Sequence, residues 1–480
     1  MNSLEDQARA EAIGRLSQFR RSFYQSLTRR ADALFELTEA VLCADGPVSS
    51  LVALSLCPEF RRGHGGLYDA LAAGRIAAAP LQDALVATLP QGAPLLFAVD
   101  VTPYPRPDAE CSADRGHCYA ACRCDGTRKT IPGWNYSWVV GVWWGTSSWT
   151  APVDVCRLAP GDDLVAVTAA QIRALVGRLR GVGRCGTPWQ PVPMAILDCG
   201  YPAPALADTL AGVGVQLLVR LGDEGRRVFY ADPAPRQAGQ IGRPARHGAR
   251  FKLADPATWP APDQVYVVAD SGRYGRVEVC AWSGLHQRLQ TRGHFTGRQR
   301  PEVVSGTVIR VSVERLPDGR APHKTLWLWW SGPPGLLPDL DVVWRAYLRR
   351  FDAEHTFRFA KGTLGWTAAR VRTPEQADRW TWLIVAAYTQ LRLAVGLARD
   401  LRRPWEPPPD PARPLSPHRV RRGFRHIRHQ IGLPARGPKP CRPGPGRPKG
   451  RCSGPARRFP VAKQTDKADN PTKTKRAQTG

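Results

Sequence analysis

A carboxylate, a guanidinium, an ammonium and a phenol fall at spacings that could do phosphoryl chemistry. Residues 341–366 read DVVWRAYLRRFDAEHTFRFAKGTLGW, with Val343, Trp344, Tyr347, Leu348 and Phe351 recurring at helical spacing. On such a helix Arg350 and Glu354 stand at i and i+4, one turn apart on one face. Tyr347 lies two turns before Glu354, and Lys361 about two turns after it. That mixture suits a phosphodiester. The carboxylate can hold a divalent metal, and the cations and hydroxyl can hold phosphate oxygens. An ordinary surface helix also carries i,i+4 Arg/Glu pairs, so the helix alone decides nothing.

Two other stretches supply further carboxylates. LLFAVDVT, residues 95–102, is an apolar run ending in Asp100 and Thr102. MAILDCGY, residues 194–201, is a second, ending in Asp198, Gly200 and Tyr201. Two buried strands ending in Asp can bring those carboxylates together at one edge of a sheet, and a distant helix can add a third.

These residues carry a family resemblance. Tyr347, Arg350, Glu354 and Lys361 match Y-x2-R-x3-E-x6-K, and Asp100 in D-x-T and Asp198 in D-x-G-Y precede them in order. The pattern resembles the insertion-sequence DDE transposases with the Tyr-Arg-Glu-Lys signature, over roughly residues 91–400. The resemblance implies that Asp100, Asp198 and Glu354 are catalytic and bind two Mg2+ ions, with Mn2+ able to substitute. It implies cleavage of double-stranded DNA at the element's terminal inverted repeats and strand transfer into target DNA, by a dimer assembled on DNA. Tyr347, Arg350 and Lys361 would bind DNA phosphates, and Thr102 and Tyr201 would support the neighbouring Asp. The other reading is a domesticated DNA-binding protein that has fallen catalytically silent.

The elements that must position these groups are legible as an α/β chain with an RNase H-like core. Residues 1–90 read as a helical N-terminal domain, either a DNA-binding unit or a cap on the core, with Leu16, Phe19, Phe23, Leu27 and Leu34 on apolar faces. Residues 91–222 form the first part of the core. Strands are expected at 95–100, 137–144 and 148–155, then a helix at 163–180, a strand at 194–198, a helix at 204–213 and a strand at 216–221. Residues 223–335 are β-branched and aromatic runs, which resemble the insertion domain of this transposase group. Trp282, Trp329 and Trp330 there are either core or a platform for a flipped base. Residues 336–403 complete the core with the Glu354 helix and a closing helix over 375–403.

The chain has 480 residues and 68 Lys plus Arg against 41 Asp plus Glu, a formal net charge of +27. Such a balance points to a polyanionic partner, nucleic acid first. Residues 404–480 are expected as a disordered basic tail, in which Lys and Arg far outnumber Glu406, Asp410, Asp466 and Asp469. Within it PGPGRPKGR, residues 443–451, partly matches an AT-hook. No apolar run reaches membrane-spanning length, and no signal region opens the chain, so a soluble, cytoplasmic, nucleoid-associated protein with no membrane partner is expected. Cys111, His117, Cys118, Cys122 and Cys124 cluster, but C-x3-C-x-C is not a standard zinc spacing, and reduced thiols are expected.

Overall fold

Five helices come first: α1 (Asn2–Ser26), α2 (Ala31–Cys43), α3 (Leu51–Ser55), α4 (His64–Ala73) and α5 (Ala78–Ala87). Two short strands, β1 (Leu27–Arg29) and β2 (Arg75–Ile76), pair between them. The computed structural model describes residues 2–121, 128–222, 225, 227–236, 241–289, 293–299, 301–440, 448–450 and 454–462. Every residue of α2 from Ala33 to Cys43 is buried, including Glu36 and Glu39, whose carboxylates are paired with arginines. It packs against α4 and two C-terminal helices described below.

The central order is β3 (Leu96–Pro105), β4 (Gly116–Ala121), β5 (Arg128–Val142), β6 (Ala151–Leu158), α6 (Leu164–Gly181), β7 (Met194–Leu197), α7 (Ala203–Thr209) and β8 (Gln216–Arg220). The expected three strands before α6 are four, because residues 116–121 fold back on β5 instead of staying in a loop. Asp163 caps α6 by accepting from the Val165 amide. β3, β7 and β8 run parallel, and β5 lies antiparallel on the other side of β3.

β9 (Val228–Tyr230), β10 (Arg250–Lys252), β11 (Gln264–Val268), β12 (Val277–His286), β13 (Ser305–Val313) and β14 (Leu326–Ser331) follow. They do not form a sheet of their own. β14 pairs antiparallel with β8, so the β-rich segment continues the central sheet, which has twelve strands among the described residues. Of the two readings of Trp282, Trp329 and Trp330, core or base platform, burial favours core. Trp282 and Trp327 pack with Trp259 and Phe251, Trp329 is fully buried, and Trp330 donates its Nε1 hydrogen to Gln216.

The chain ends in α8 (Leu340–Arg349), α9 (Phe351–Gly362), α10 (Pro374–Leu393) and α11 (Pro417–Ile427). A capping box of Thr373 and Gln376 starts α10, with Pro374 at its first position. α10 was expected to run to Arg403 but stops at Leu393, just before the poor helix former Gly396. Gly365 makes the turn after α9 at φ +71°, where a Cβ would lie 2.6 Å from the Val48 carbonyl oxygen.

α11 corrects the expectation of a disordered tail from residue 404. Val420, Phe424 and Ile427 recur at i, i+4 and i+7 and are buried against the N-terminal helices. Its arginines face acids and carbonyls of that layer. Arg425 pairs with Glu59 at 3.0 Å, Arg428, just past the helix, pairs with Glu39 at 2.8 Å, and Arg421 donates to the Val41 and Gly46 carbonyls. The positive charge that reads as a solvated tail is here the counter-charge of buried carboxylates. Further on, the amides of Phe459 and Ala462 donate to the carbonyls of Glu110 and Arg115, so residues 454–462 also lie against the core. Most of the 443–451 segment lies outside the described residues.

Candidate active site

Parity along the parallel strands sets the site. Leu96 and Ala98 of β3, Ile196 of β7 and Leu218 of β8 face one core, while Phe97, Val99, Leu197, Leu217 and Val219 face the other. Asp100, Asp198 and Arg220 continue the first set, so all three point to the side covered by α8 and α9. Register aligns them. Val99 pairs with Leu197 and Leu197 with Val219, which makes Asp100, Asp198 and Arg220 the next residues on three adjacent strands.

α9 lies across these strand ends. It buries Ala353, Thr356, Phe357 and Ala360 and leaves Glu354 outward. Phe357 packs on Trp138 of β5, and the Thr356 hydroxyl lies 2.7 Å from that of Thr150. The single expected helix over 341–366 is two helices abutting at Arg350, which keeps helical dihedrals. Arg349 holds this junction to the β5–β6 loop by donating to the Gly145 and Ser147 carbonyls.

Arg350 stands at the centre. Its guanidinium lies 3.4 Å from Asp100 Oδ2, 3.8 Å from Asp198 Oδ2 and 3.8 Å from Glu354 Oε1. Asp198 Oδ2 and Glu354 Oε1 both face the same Nη2, so they are no farther apart than twice 3.8 Å. Three acids separated by about a hundred residues or more in sequence thus share one cation. Each Asp uses its Oδ1 to accept the amide of the following residue, Val101 or Cys199. Oδ2 is the oxygen turned to Arg350 in both.

Burial pushes the Asp100 carboxyl up to about 6. Arg350 and the Val101 amide oppose that rise, and the charges of Asp198 and Glu354 add to it. Burial works against the Arg350 charge, but Tyr347 and the three acids more than restore it, and its pKa is raised.

The remaining sequence candidates are also here. Lys361 donates to Thr102 Oγ1 at 2.6 Å and lies against the Trp366 ring. Burial lowers its pKa to about 8, with Asp100 opposing. Tyr347 is buried, with its ring 5.7 Å from the Arg350 guanidinium, and its hydroxyl faces no solvent. It supports Arg350 from beneath and does not stand on an open face. Tyr201 is buried beside the acids, and burial followed by the Asp100 charge raises its pKa. Arg220 was missed. Its charge reaches Tyr347 and Cys199, and among the described residues no hydrogen bond or ion pair engages it. The signal was the register of MAIL against QLLVR, which apolar runs alone do not reveal.

Three carboxylates are hard oxygen donors suited to Mg2+ or Mn2+, and they already hold a cation in common. Among the described residues, no three His, Cys, Asp or Glu side chains are arranged to ligate one ion as they stand, and Arg350 lies between these three. Cys111 is exposed and Cys118 buried, both unbonded, while Cys122 and Cys124 lie outside the described residues.

A mixed α/β fold with a large mixed sheet and Asp residues at adjacent strand ends fits an RNase H-like DDE fold. A model of the family described as DDE superfamily endonuclease matches residues 22–288, more than half of the chain, and the chain belongs to that family. Membership implies DNA as the substrate and transposase-type nuclease chemistry. The matched span includes Asp100 and Asp198 and ends before Glu354. No curated protein matches the chain. Among the described residues no helix is long and apolar enough to cross a membrane.

Proposed function

We propose that this chain is an insertion-sequence transposase of the Tyr-Arg-Glu-Lys group. In this reading it cleaves DNA at the ends of its element and joins the freed 3′ ends to target DNA. The observation that carries the reading is the convergence of Asp100, Asp198 and Glu354 on one guanidinium at the ends of parallel strands.

Asp100, Asp198 and Glu354 would hold two Mg2+ ions, or Mn2+ in their place. Bound divalent ions would supply Lewis acidity and lower the pKa of a water or 3′ hydroxyl nucleophile. The protein's own groups do the positioning. Arg350 and Arg220 present guanidinium forks that match phosphate oxygens beside the scissile bond. Thr102 accepts from Lys361 and so keeps that ammonium beside Asp100, where it can meet a phosphate. Tyr347 backs Arg350, and Tyr201 fills the space beneath the acids. The helical layer of residues 1–90 and the strands of residues 223–335 would flank bound DNA. Two element ends require two sites, hence a dimer on DNA, in a cytoplasmic, nucleoid-associated setting.

The test is a labelled duplex carrying the element's terminal inverted repeat, incubated with the protein and Mg2+ or Mn2+. Wild type should nick at the repeat boundary. Asp100→Ala, Asp198→Ala and Glu354→Ala should each bind the duplex and leave it uncut. Binding without nicking by wild type would support a silent DNA-binding protein instead. A variant cutting at near wild-type rate would remove that residue from the active site.

A further inference from the structure

We propose that Arg350 is the resident counter-cation of the acidic cluster, and that it and the divalent ions exclude one another. Arg350 holds Asp100, Asp198 and Glu354 together while no ion is bound. As ions enter, its guanidinium leaves the cluster and becomes free to bind a DNA phosphate. The inference rests on the reading above that these acids hold metal.

The argument starts from oxygens. In both Asp residues Oδ1 is taken by the following backbone amide, and Oδ2 is the atom Arg350 approaches. A metal drawing on the two carboxylates is best served by those same Oδ2 atoms, because each Oδ1 already shares a lone pair with a backbone amide. A carboxylate oxygen sits about 2.0–2.1 Å from Mg2+, whereas the guanidinium nitrogens stand 3.4 and 3.8 Å from them. One space cannot hold a planar guanidinium and the ion together.

Charge and burial agree. Three carboxylates around one point repel, and a single positive charge balances only part of that repulsion, so an incoming divalent ion gains more from the cluster than the arginine does. Arg350 is 3 % exposed, and its Nε, buried, finds no acceptor. The side chain is therefore held at its two terminal nitrogens, by the carboxylates and by the buried Tyr347 phenol beside it. It also sits at the junction of two helices, near both the buried Tyr347 ring and the half-exposed Phe351 ring. The Phe351 side offers a way out towards solvent and DNA.

The test of this role reads ion binding and the exposure of Arg350, without DNA or turnover. Wild-type protein is treated with phenylglyoxal, which modifies accessible arginines, with and without Mn2+, and the peptide containing Arg350 is quantified by mass spectrometry. Labelling should rise at least fivefold with Mn2+. In parallel, Mn2+ affinity is measured by calorimetry for wild type and Arg350→Gln. The variant should bind at least tenfold tighter. Equal labelling with and without bound Mn2+, or equal or weaker binding by the variant, overturns the proposal. If the variant does not fold, the wild-type labelling decides. Failure of the underlying metal reading looks different: wild type and Arg350→Gln would both bind no Mn2+, or Asp100→Asn with Asp198→Asn would bind it as well as wild type.

Discussion

Ending the chain at Arg403 removes α11 and the segment after it, whereas ending it at Pro440 keeps both. The first truncation takes away Val420, Phe424, Ile427 and Ile431, all essentially fully buried. At about 1.5–3 kcal/mol per buried side chain of this size, the lost burial comes to roughly 6–12 kcal/mol. It also strips Glu59 of Arg425 and Glu39 of Arg428, leaving two buried carboxylates under-compensated; breaking a fully buried pair costs about 3–5 kcal/mol, and the part-exposed arginines here bring each loss to that figure or below. Glu39 keeps Arg20, so the lower end applies there. The total equals or exceeds the roughly 5–15 kcal/mol that holds a typical domain folded. The protein ending at Arg403 should therefore lose its cooperative melt or be insoluble, and hydrogen exchange in α2 should be fast. The protein ending at Pro440 should still melt cooperatively, lowered only by the loss of the hydrogen bonds that tie Phe459 and Ala462 to Glu110 and Arg115, with weaker DNA binding and a shallower salt dependence from the lost lysines and arginines. Differential scanning calorimetry on the two proteins is the assay. If ending the chain at Arg403 shifts Tm by no more than about 2 °C, α11 is not a structural part of the helical layer and the reasoning fails.

Asp100→Asn should stabilise the ion-free protein at pH 8. The folded carboxyl is raised to about 6 from 3.8, so the stability this group contributes is fully present below 3.8 and is lost as pH rises through 6. The gain is at most about 3 kcal/mol and should shrink towards pH 5, as read by urea titration at both pH values. Glu39→Gln leaves the fully buried Arg20 short of its carboxylate and should cost about 3–5 kcal/mol by the same measurement. Arg220→Ala should leave Tm unchanged, because nothing in the described structure leans on its guanidinium. It should also lower the slope of log K against log salt for DNA binding by about one phosphate contact.

Chemistry was more legible in the sequence than placement. The runs LLFAV and MAIL pointed to two buried strands, because short unbroken apolar runs suit a sheet covered on both faces, although a buried helix segment can read the same way. The Asp at the end of each, and the helical period around Glu354, marked the three acids. Tyr347 and Lys361 were visible as residue types, but their environments were not. Whether a phenol meets solvent or an arginine depends on what packs over it, and in Tyr347 the buried side of α8 won. Arg220 carried no signal, since a single arginine ending a strand is commonplace until its register with Asp198 is known.

The basic C-terminal region and the aromatic strands show the same limit from the other side. Charge count alone reads Arg421, Arg425 and Arg428 as solvated, and only the fold reveals that Glu39, Glu59 and the end of α2 await them. Trp282, Trp329 and Trp330 could have stacked on bases or on one another, and packing in the sheet core decided. The sequence by itself determined which groups are available: three carboxylates, a motif with its arginine and lysine, and two strand cores. That follows from residue type and local period, which need no partner. The tertiary structure alone decided that one guanidinium sits among all three acids, because strand register and helix crossing are set by contacts between segments hundreds of residues apart.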